Sequence, residues 1–300
     1  MKIISKNPLI RLKNRSSSSK NIIQRVLSGD LTQRFSRFHQ FRRGYSLAQK
    51  TIQKFDRNIQ QEILKVSSKP SLFKGFSVEN TVREMRKTSV AFGLQLAPEM
   101  TKTIYEYAVN NFCLEPGYTE QFKIDQLEKE YLKNERQVFR GLLWDSGNCQ
   151  AIQQITTDPI LLKVASSYLG YYPNLVTQHL TWSIASHLPV EEVKKNYPAT
   201  NFHYDIAGYN FVTCYFYITD VDLDSGPHVM IPNSHRKKPL SMLLLSGRHS
   251  DEKVYNYYRR EDEMRIVGKA GFGFFQDPSC IHKLLAPVTH NRLLLQIRYS

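Results

Sequence analysis

The chain has 300 residues, with 41 Lys+Arg against 27 Asp+Glu and a formal charge of +14. At 41% hydrophobic and 12% aromatic it is not a globally disordered chain, and it has ample material for a core. No apolar run nears the ~18–20 residues that span a bilayer, which argues against an integral membrane protein. Cys113, Cys149, Cys214 and Cys280 form no CxxC pair, which argues against a zinc ribbon, a dithiol redox motif and a disulfide scaffold. Buried free thiols in a reducing cytosol are expected.

The charge is uneven. Residues 1–80 hold 17 Lys/Arg and 4 Asp/Glu, whereas residues 81–300 hold 24 and 23. This division predicts a basic, partly helical or disordered extension over 1–80 and a near-neutral domain over 81–300. The polar, Pro-containing stretch Ser67–Ser71 joins them as a linker. Within the extension Ile23, Leu27, Leu31, Phe35 and Phe38 make one helical stripe, weakened by Gly29 at a cost of ~1 kcal/mol relative to Ala. Ala48, Ile52, Phe55, Ile59 and Ile63 make a second. Arg15–Lys20, with four serines, reads as unstructured. The extension has four open readings. It is a membrane-surface helix, a nucleic-acid-binding arm, an organelle transit peptide whose first acidic residue is Asp30, or a solubilising extension packed on its neighbour. A cytoplasmic location is expected, with organelle targeting as the alternative.

Beyond residue 80 the pattern is helical first. Ala97-Pro98-Glu99 opens one helix, with Pro near its first turn. Alternating charges from Asp125 to Arg140 indicate an exposed helix or loop. Asp158, Pro159 and Gly170 bracket another helix as N-cap, first helical position and C-terminal stop. After Gly170 the texture turns to strands. Asn174–Ile184 and Phe211–Thr219 are rich in β-branched and aromatic residues, and the second suits a strand buried on both faces. Further strands are expected at His228–Ile231, Glu263–Val267, Gly273–Gln276, Ile281–Leu285 and Arg292–Tyr299. Helices preceding many short strands argue an α+β fold with a β-sandwich or barrel.

Two histidines and one carboxylate on one face of a metal make a non-haem iron site. On a strand, positions i and i+2 point the same way, so His-x-Asp supplies two ligands from one place. The motif alone is weak: with 9 His and 12 Asp in the chain, chance supplies about 0.4 matches. There are two, His203-Tyr204-Asp205 and His249-Ser250-Asp251. The second sits in a polar loop with no strand flank. His203 precedes the strongest strand, and His282 follows 79 residues later, with room for intervening strands. The first is therefore favoured.

The order His203-Tyr204-Asp205, Thr219–Asp222, Ser225-Gly226-Pro227, Ile231–His235, Gly271–Phe275, His282 and Arg292 resembles the phytanoyl-CoA dioxygenase family over roughly residues 85–300. The resemblance implies a double-stranded β-helix of jelly-roll or cupin type. It implies Fe(II) and 2-oxoglutarate as cofactor and cosubstrate, with ascorbate as a further candidate. His203, Asp205 and His282 would then bind the metal and Arg292 the distal carboxylate of 2-oxoglutarate, with Arg298 past the pocket. Thr181, Gln178 and Tyr215 are further candidates for holding 2-oxoglutarate. Leu284 departs from the small or polar residue many relatives carry two places after the distal His. Related halogenases replace the carboxylate, so Asp205 favours hydroxylation, with release of succinate and CO2. His228 and His235 are taken as structural, and Tyr171, Tyr172, Trp182 and the segment His187–Phe202 as pocket wall and lid. The substrate class is open among small molecules, acyl-CoA and lipids. A degenerate metal-binding barrel and a binding protein acting through the basic segment are the alternatives.

Overall fold

The computed structural model describes residues 2–3, 32–244 and 247–300. Ile23, Leu27 and Leu31 of the first predicted stripe, and the serine-rich stretch, lie outside the described residues. The helices are α1 (His39–Lys54), α2 (Arg57–Ser67), α3 (Val78–Thr88), α4 (Pro98–Asn110), α5 (Gln150–Thr156), α6 (Pro159–Leu169), α7 (Val190–Asn196), α8 (Leu240–Leu244) and α9 (Asp251–Tyr255). The starts of α2, α3, α6 and α9 follow capping chemistry. Asp158 accepts from the N–H groups of Ile160 and Leu161 at the start of α6, and its carboxylate also takes the Ser71 hydroxyl at 2.9 Å. Gly170 stops α6 at φ +83, a left-handed conformation that costs glycine nothing. Asp56 caps α2 and Ser77 caps α3.

The strands are β1 (Lys2–Ile3), β2 (Val90–Gln95), β3 (Cys113–Leu114), β4 (Gln121–Phe122), β5 (Arg140–Leu143), β6 (Leu175–Ser183), β7 (Phe202–His203), β8 (Val212–Tyr217), β9 (His228–Met230), β10 (Arg248–His249), β11 (Met264–Ile266), β12 (Phe272–Gln276), β13 (His282–Leu284) and β14 (Arg292–Tyr299). They form a large sheet in the order β2-β12-β8-β14-β6-β5-β3-β4, with β1 beside β6, and a small sheet in the order β10-β7-β13-β9-β11. Neither sheet closes on itself. All seven strands expected after Gly170 are present within a residue or two. β1 to β5, β7 and β10 are additional.

Alternation assigns the two faces of the large sheet. Val176, Leu180 and Trp182 of β6, Cys214 and Phe216 of β8, and Leu293, Leu295 and Ile297 of β14 pack with Met85 of α3 and Leu161, Val164 and Ala165 of α6 in the main core. The opposite face presents Tyr215, Tyr217, Phe274 and Leu294 to Met230 and Ile266 of the small sheet. The space between the sheets holds the site. Trp182 and Tyr171 belong to the main core, and Trp182 meets Tyr105 edge-on at 5.9 Å. Trp182 does not wall the inter-sheet space, because odd positions of β6, not even ones, point there, and Tyr171, before β6, packs in the main core. The four cysteines are buried and free.

Helix α1 is docked by polar groups. Arg42 donates to Asn210 Oδ1 at 2.8 Å, to Asp277 Oδ2 at 2.8 Å and to the Ser279 hydroxyl. Gln53 donates to the Tyr172 carbonyl and accepts from its N–H, both at 2.7 Å. The α1 part of the second apolar stripe turns outward instead: Ile52 is 60% and Phe55 77% exposed, joined by Leu47 at 67%, while Ile59 and Ile63 of α2 are half-buried. Phe55 and Asp56 interrupt the stripe between α1 and α2. Among the described residues no helix is long and apolar enough to cross a membrane.

Candidate metal centre

His203 ends β7 and pairs directly with His282 of β13. Cross-strand partners share a face, so the two rings lie side by side with centroids 4.4 Å apart. Asp205 lies two residues on, beyond the strand end, and its N–H donates to the Pro278 carbonyl at 2.8 Å. One ligand atom from each of His203, Asp205 and His282 falls within 4.8 Å of the others, the one such group of His, Cys, Asp and Glu among the described residues.

The tautomers follow from the backbone. His203 Nδ1 lies 2.8 Å from the Asn201 carbonyl, and His282 Nδ1 lies 2.9 Å from the Cys280 carbonyl. A carbonyl only accepts, so each Nδ1 carries the proton and each Nε2 keeps its lone pair. Burial and the neighbouring His203 push His282 down to about 4, so it is neutral at pH 7. Burial alone would raise the Asp205 carboxyl, but His282, His203 and Arg298 outweigh it and hold the group below its ordinary range. Two imidazoles and a carboxylate are the donor set a divalent iron takes at three adjacent positions. These are the three residues expected as ligands.

His249 is not in an open loop. With Arg248 it forms β10 on the free edge of β7, and Asp251 is occupied by Lys194 at 3.2 Å and Lys283 at 3.1 Å.

Arg292 begins β14 opposite Ser183. Its guanidinium is buried and donates to the Gly226 carbonyl at 2.7 Å and the Ser183 hydroxyl at 3.2 Å. Nε has no partner, and no carboxylate pairs with it among the described residues. Burial pushes its pKa down, opposed by Tyr217, Tyr197 and Tyr215. Gly226 sits at φ +82 with Leu285 and Pro287 against it, so the turn that presents this carbonyl is a glycine position.

Thr181 pairs with Leu294, and Tyr215 with Gln296; both therefore share the face of Arg292. Gln178 does not. It pairs with Ile297, whose side chain is in the main core, so Gln178 points away from the site and is withdrawn as a cosubstrate contact. Leu284 is buried with Phe139, Val193 and Tyr197. That cluster anchors α7, so the segment expected as a lid is a folded wall.

Two residues at the site were not expected there. Arg298 Nη2 lies 3.5 Å from Asp205 Oδ2, and its guanidinium covers the Phe211 ring at 5.1 Å. It shares a face with Arg292 because the two are six residues apart on one strand, a parity the sequence displays. His228 stacks on His282 with ring centroids 5.3 Å apart and planes 16° apart. Burial, His282 and Arg292 push its pKa far down, so it is a neutral aromatic plate behind a ligand.

The sequence matches no protein-family model and no curated protein. Solved structures do match. The non-heme alpha ketoglutarate dependent carbocyclase SnoK from nogalamycin biosynthesis is 14% identical, covering 77% of this chain and 87% of its own, with a TM-score of 0.52. EvdO2 from Micromonospora carbonacea var. aurantiaca, complexed with 2-oxoglutarate, is 12% identical, covering 77% and 93%, with a TM-score of 0.52. The shared fold is a double-stranded β-helix. At these identities the likeness concerns architecture, and the ligands named are those of SnoK and EvdO2.

Proposed function

We propose that the protein is a non-haem iron, 2-oxoglutarate-dependent oxygenase of the phytanoyl-CoA dioxygenase type that hydroxylates a small molecule. One observation carries the reading: a buried, carboxylate-free guanidinium, Arg292, on the wall of the space that holds the His203/Asp205/His282 triad. A buried cation without a counter-ion is costly. A dicarboxylate chelated at the metal would supply the missing anion from its far end, as a bidentate partner.

His203 and His282 would hold the metal through Nε2 and Asp205 through one oxygen, with their Nδ1–H groups fixed on carbonyls. Iron in that site supplies oxygen activation coupled to decarboxylation of 2-oxoglutarate to succinate and CO2. Arg292 binds the distal carboxylate, and the hydroxyls of Thr181 and Tyr215 face the same cosubstrate. Phe274, Leu294 and Tyr217 exclude water from the metal-facing space. Asp205 fills the carboxylate position, which favours hydroxylation. A small-molecule substrate is in keeping with SnoK, a nogalamycin biosynthesis enzyme.

The test is succinate formation from 2-oxoglutarate by Fe(II)-reconstituted protein across a panel of small molecules, acyl thioesters and lipids. Wild type is expected to exceed His282→Ala by two orders of magnitude or more. No succinate above that background with any substrate leaves a metal-binding barrel without oxygenase activity.

A further inference from the structure

Away from the triad, α1 overhangs a cavity of about 520 Å³ between itself, the ends of α3 and α6, and the loop after β12. Its charge is one-sided. Arg42, Arg43, Lys50, Arg86 and Arg236 line it, against the single carboxylate of Asp277. Arg42 already neutralises that carboxylate at 2.8 Å with both groups buried. Four cations are left around the opening, and among the described residues no carboxylate pairs with Arg43, Lys50 or Arg236. Side chains that only solubilise a surface diverge into water; these line one concavity from three segments far apart in sequence, α1, α3 and the turn after β9. His39, on the same wall, registers the field: burial, then Arg42 and Arg236, push its imidazole pKa down.

We propose that this cavity is a binding site for a phosphate-bearing ligand carrying two or more negative charges, held by Arg43, Lys50, Arg86 and Arg236. Guanidinium forks suit phosphate oxygens, and Arg supplies three of the four groups. A single carboxylate would leave most of that charge unmatched. The cavity size suits one or two phosphate groups with a modest organic body. Two sources carry this chemistry: a soluble phosphorylated metabolite and the headgroup of an anionic lipid. The second has its own support, because Leu47 on the cavity wall and Ile52 and Phe55 further along α1 are exposed apolar groups that acyl chains would cover.

The experiment uses the full chain with two probes: inorganic pyrophosphate by calorimetry, and cosedimentation with phosphatidylcholine vesicles with and without phosphatidic acid. The variant is Arg43→Glu/Arg236→Glu, both exposed, so folding is not at stake. Lys102→Glu/Lys133→Glu is the charge-matched control on a distant surface. Saturable binding to either probe is expected, weakened at least about tenfold by the cavity variant and unchanged by the control. Pyrophosphate binding without vesicle binding identifies a soluble ligand; binding only to phosphatidic acid vesicles identifies a headgroup. No saturable binding to either probe, or binding that falls equally in the control, overturns the site.

Discussion

Arg298 and Asp205 face each other across the gap between the large sheet and the end of β7, with Nη2 3.5 Å from Oδ2. Asp205 Oδ1 is the oxygen toward His203, at 3.9 Å from Nε2. The two oxygens thus have separate neighbours, one the His203 imidazole and one the Arg298 guanidinium. Arg298→Leu is expected to weaken divalent metal binding by about 10–100-fold, the usual effect of removing such a supporting partner. Arg298→Lys should recover part of it. Cobalt(II) titration followed by its ligand-field spectrum reads this directly, and an unchanged affinity in Arg298→Leu would remove Arg298 from the site.

Arg292 predicts an unusual pairing of effects. Its guanidinium is buried with Nε unpartnered, so deleting the charge removes a desolvation cost. Arg292→Leu should leave the cosubstrate-free protein as stable as wild type or more so. The same substitution should abolish the stabilisation that 2-oxoglutarate gives the metal-loaded protein. Thermal melts with and without 2-oxoglutarate separate the two. A large destabilisation of the free protein, with 2-oxoglutarate protection intact, would make Arg292 a structural residue.

The Arg42–Asp277 pair makes the opposite prediction for stability. Breaking a buried pair strands the remaining charge, so Arg42→Ala should cost about 3–5 kcal/mol in urea unfolding. Burial alone would raise the Asp277 carboxyl, but Arg42 and His235 hold it far below its ordinary value. A depressed carboxyl contributes stability that is fully present above the unfolded pKa, about 3.9, and is lost as pH falls toward the folded value. The gap between wild type and Asp277→Asn should be constant from pH 7 to 5 and close only below about pH 4. Closure already at pH 6 would contradict this.

Histidines impose a second window. Burial pushes His235, His249 and His282 each from 6.5 to about 4. Unfolded, they take up protons that the folded state refuses, so metal-free protein should lose stability steadily as pH falls from 6.5 toward 4. Loading a divalent metal should steepen that slope, because His282 must then be deprotonated to bind. A flat profile over this range would mean that these rings are protonated in the folded state.

What the sequence displayed depends on how local the determining physics was. Helix α6 was legible at both ends because Asp158, Pro159 and Gly170 act within a turn of the backbone. The triad was legible because the His-x-Asp spacing keeps His203 and Asp205 together at the end of β7 and motif order brings in His282. β2 was not, since Gly93 interrupts it and a glycine within a short strand weakens the pattern. Periodicity in residues 48–63 gave a stripe but not its direction. Arg42 and Gln53 turn α1 over because their partners, Asp277 and Tyr172, are remote in sequence. Gln178 was misplaced by one position of parity, and the same parity rule, applied to β14, brings Arg298 to the site.

β14 lies in the middle of the large sheet, between β8 and β6, yet it is the last described element in the chain. Until it arrives, β6 and β8 have no neighbour to bridge them, and neither Arg292 nor Arg298 is in place. Arg42 likewise waits for Asp277. His203, Asp205 and His282 all precede this strand, so β14 completes the site around them by bringing in Arg292 and Arg298. Loss of even a few residues of β14 would forfeit the interior of the large sheet, not its edge.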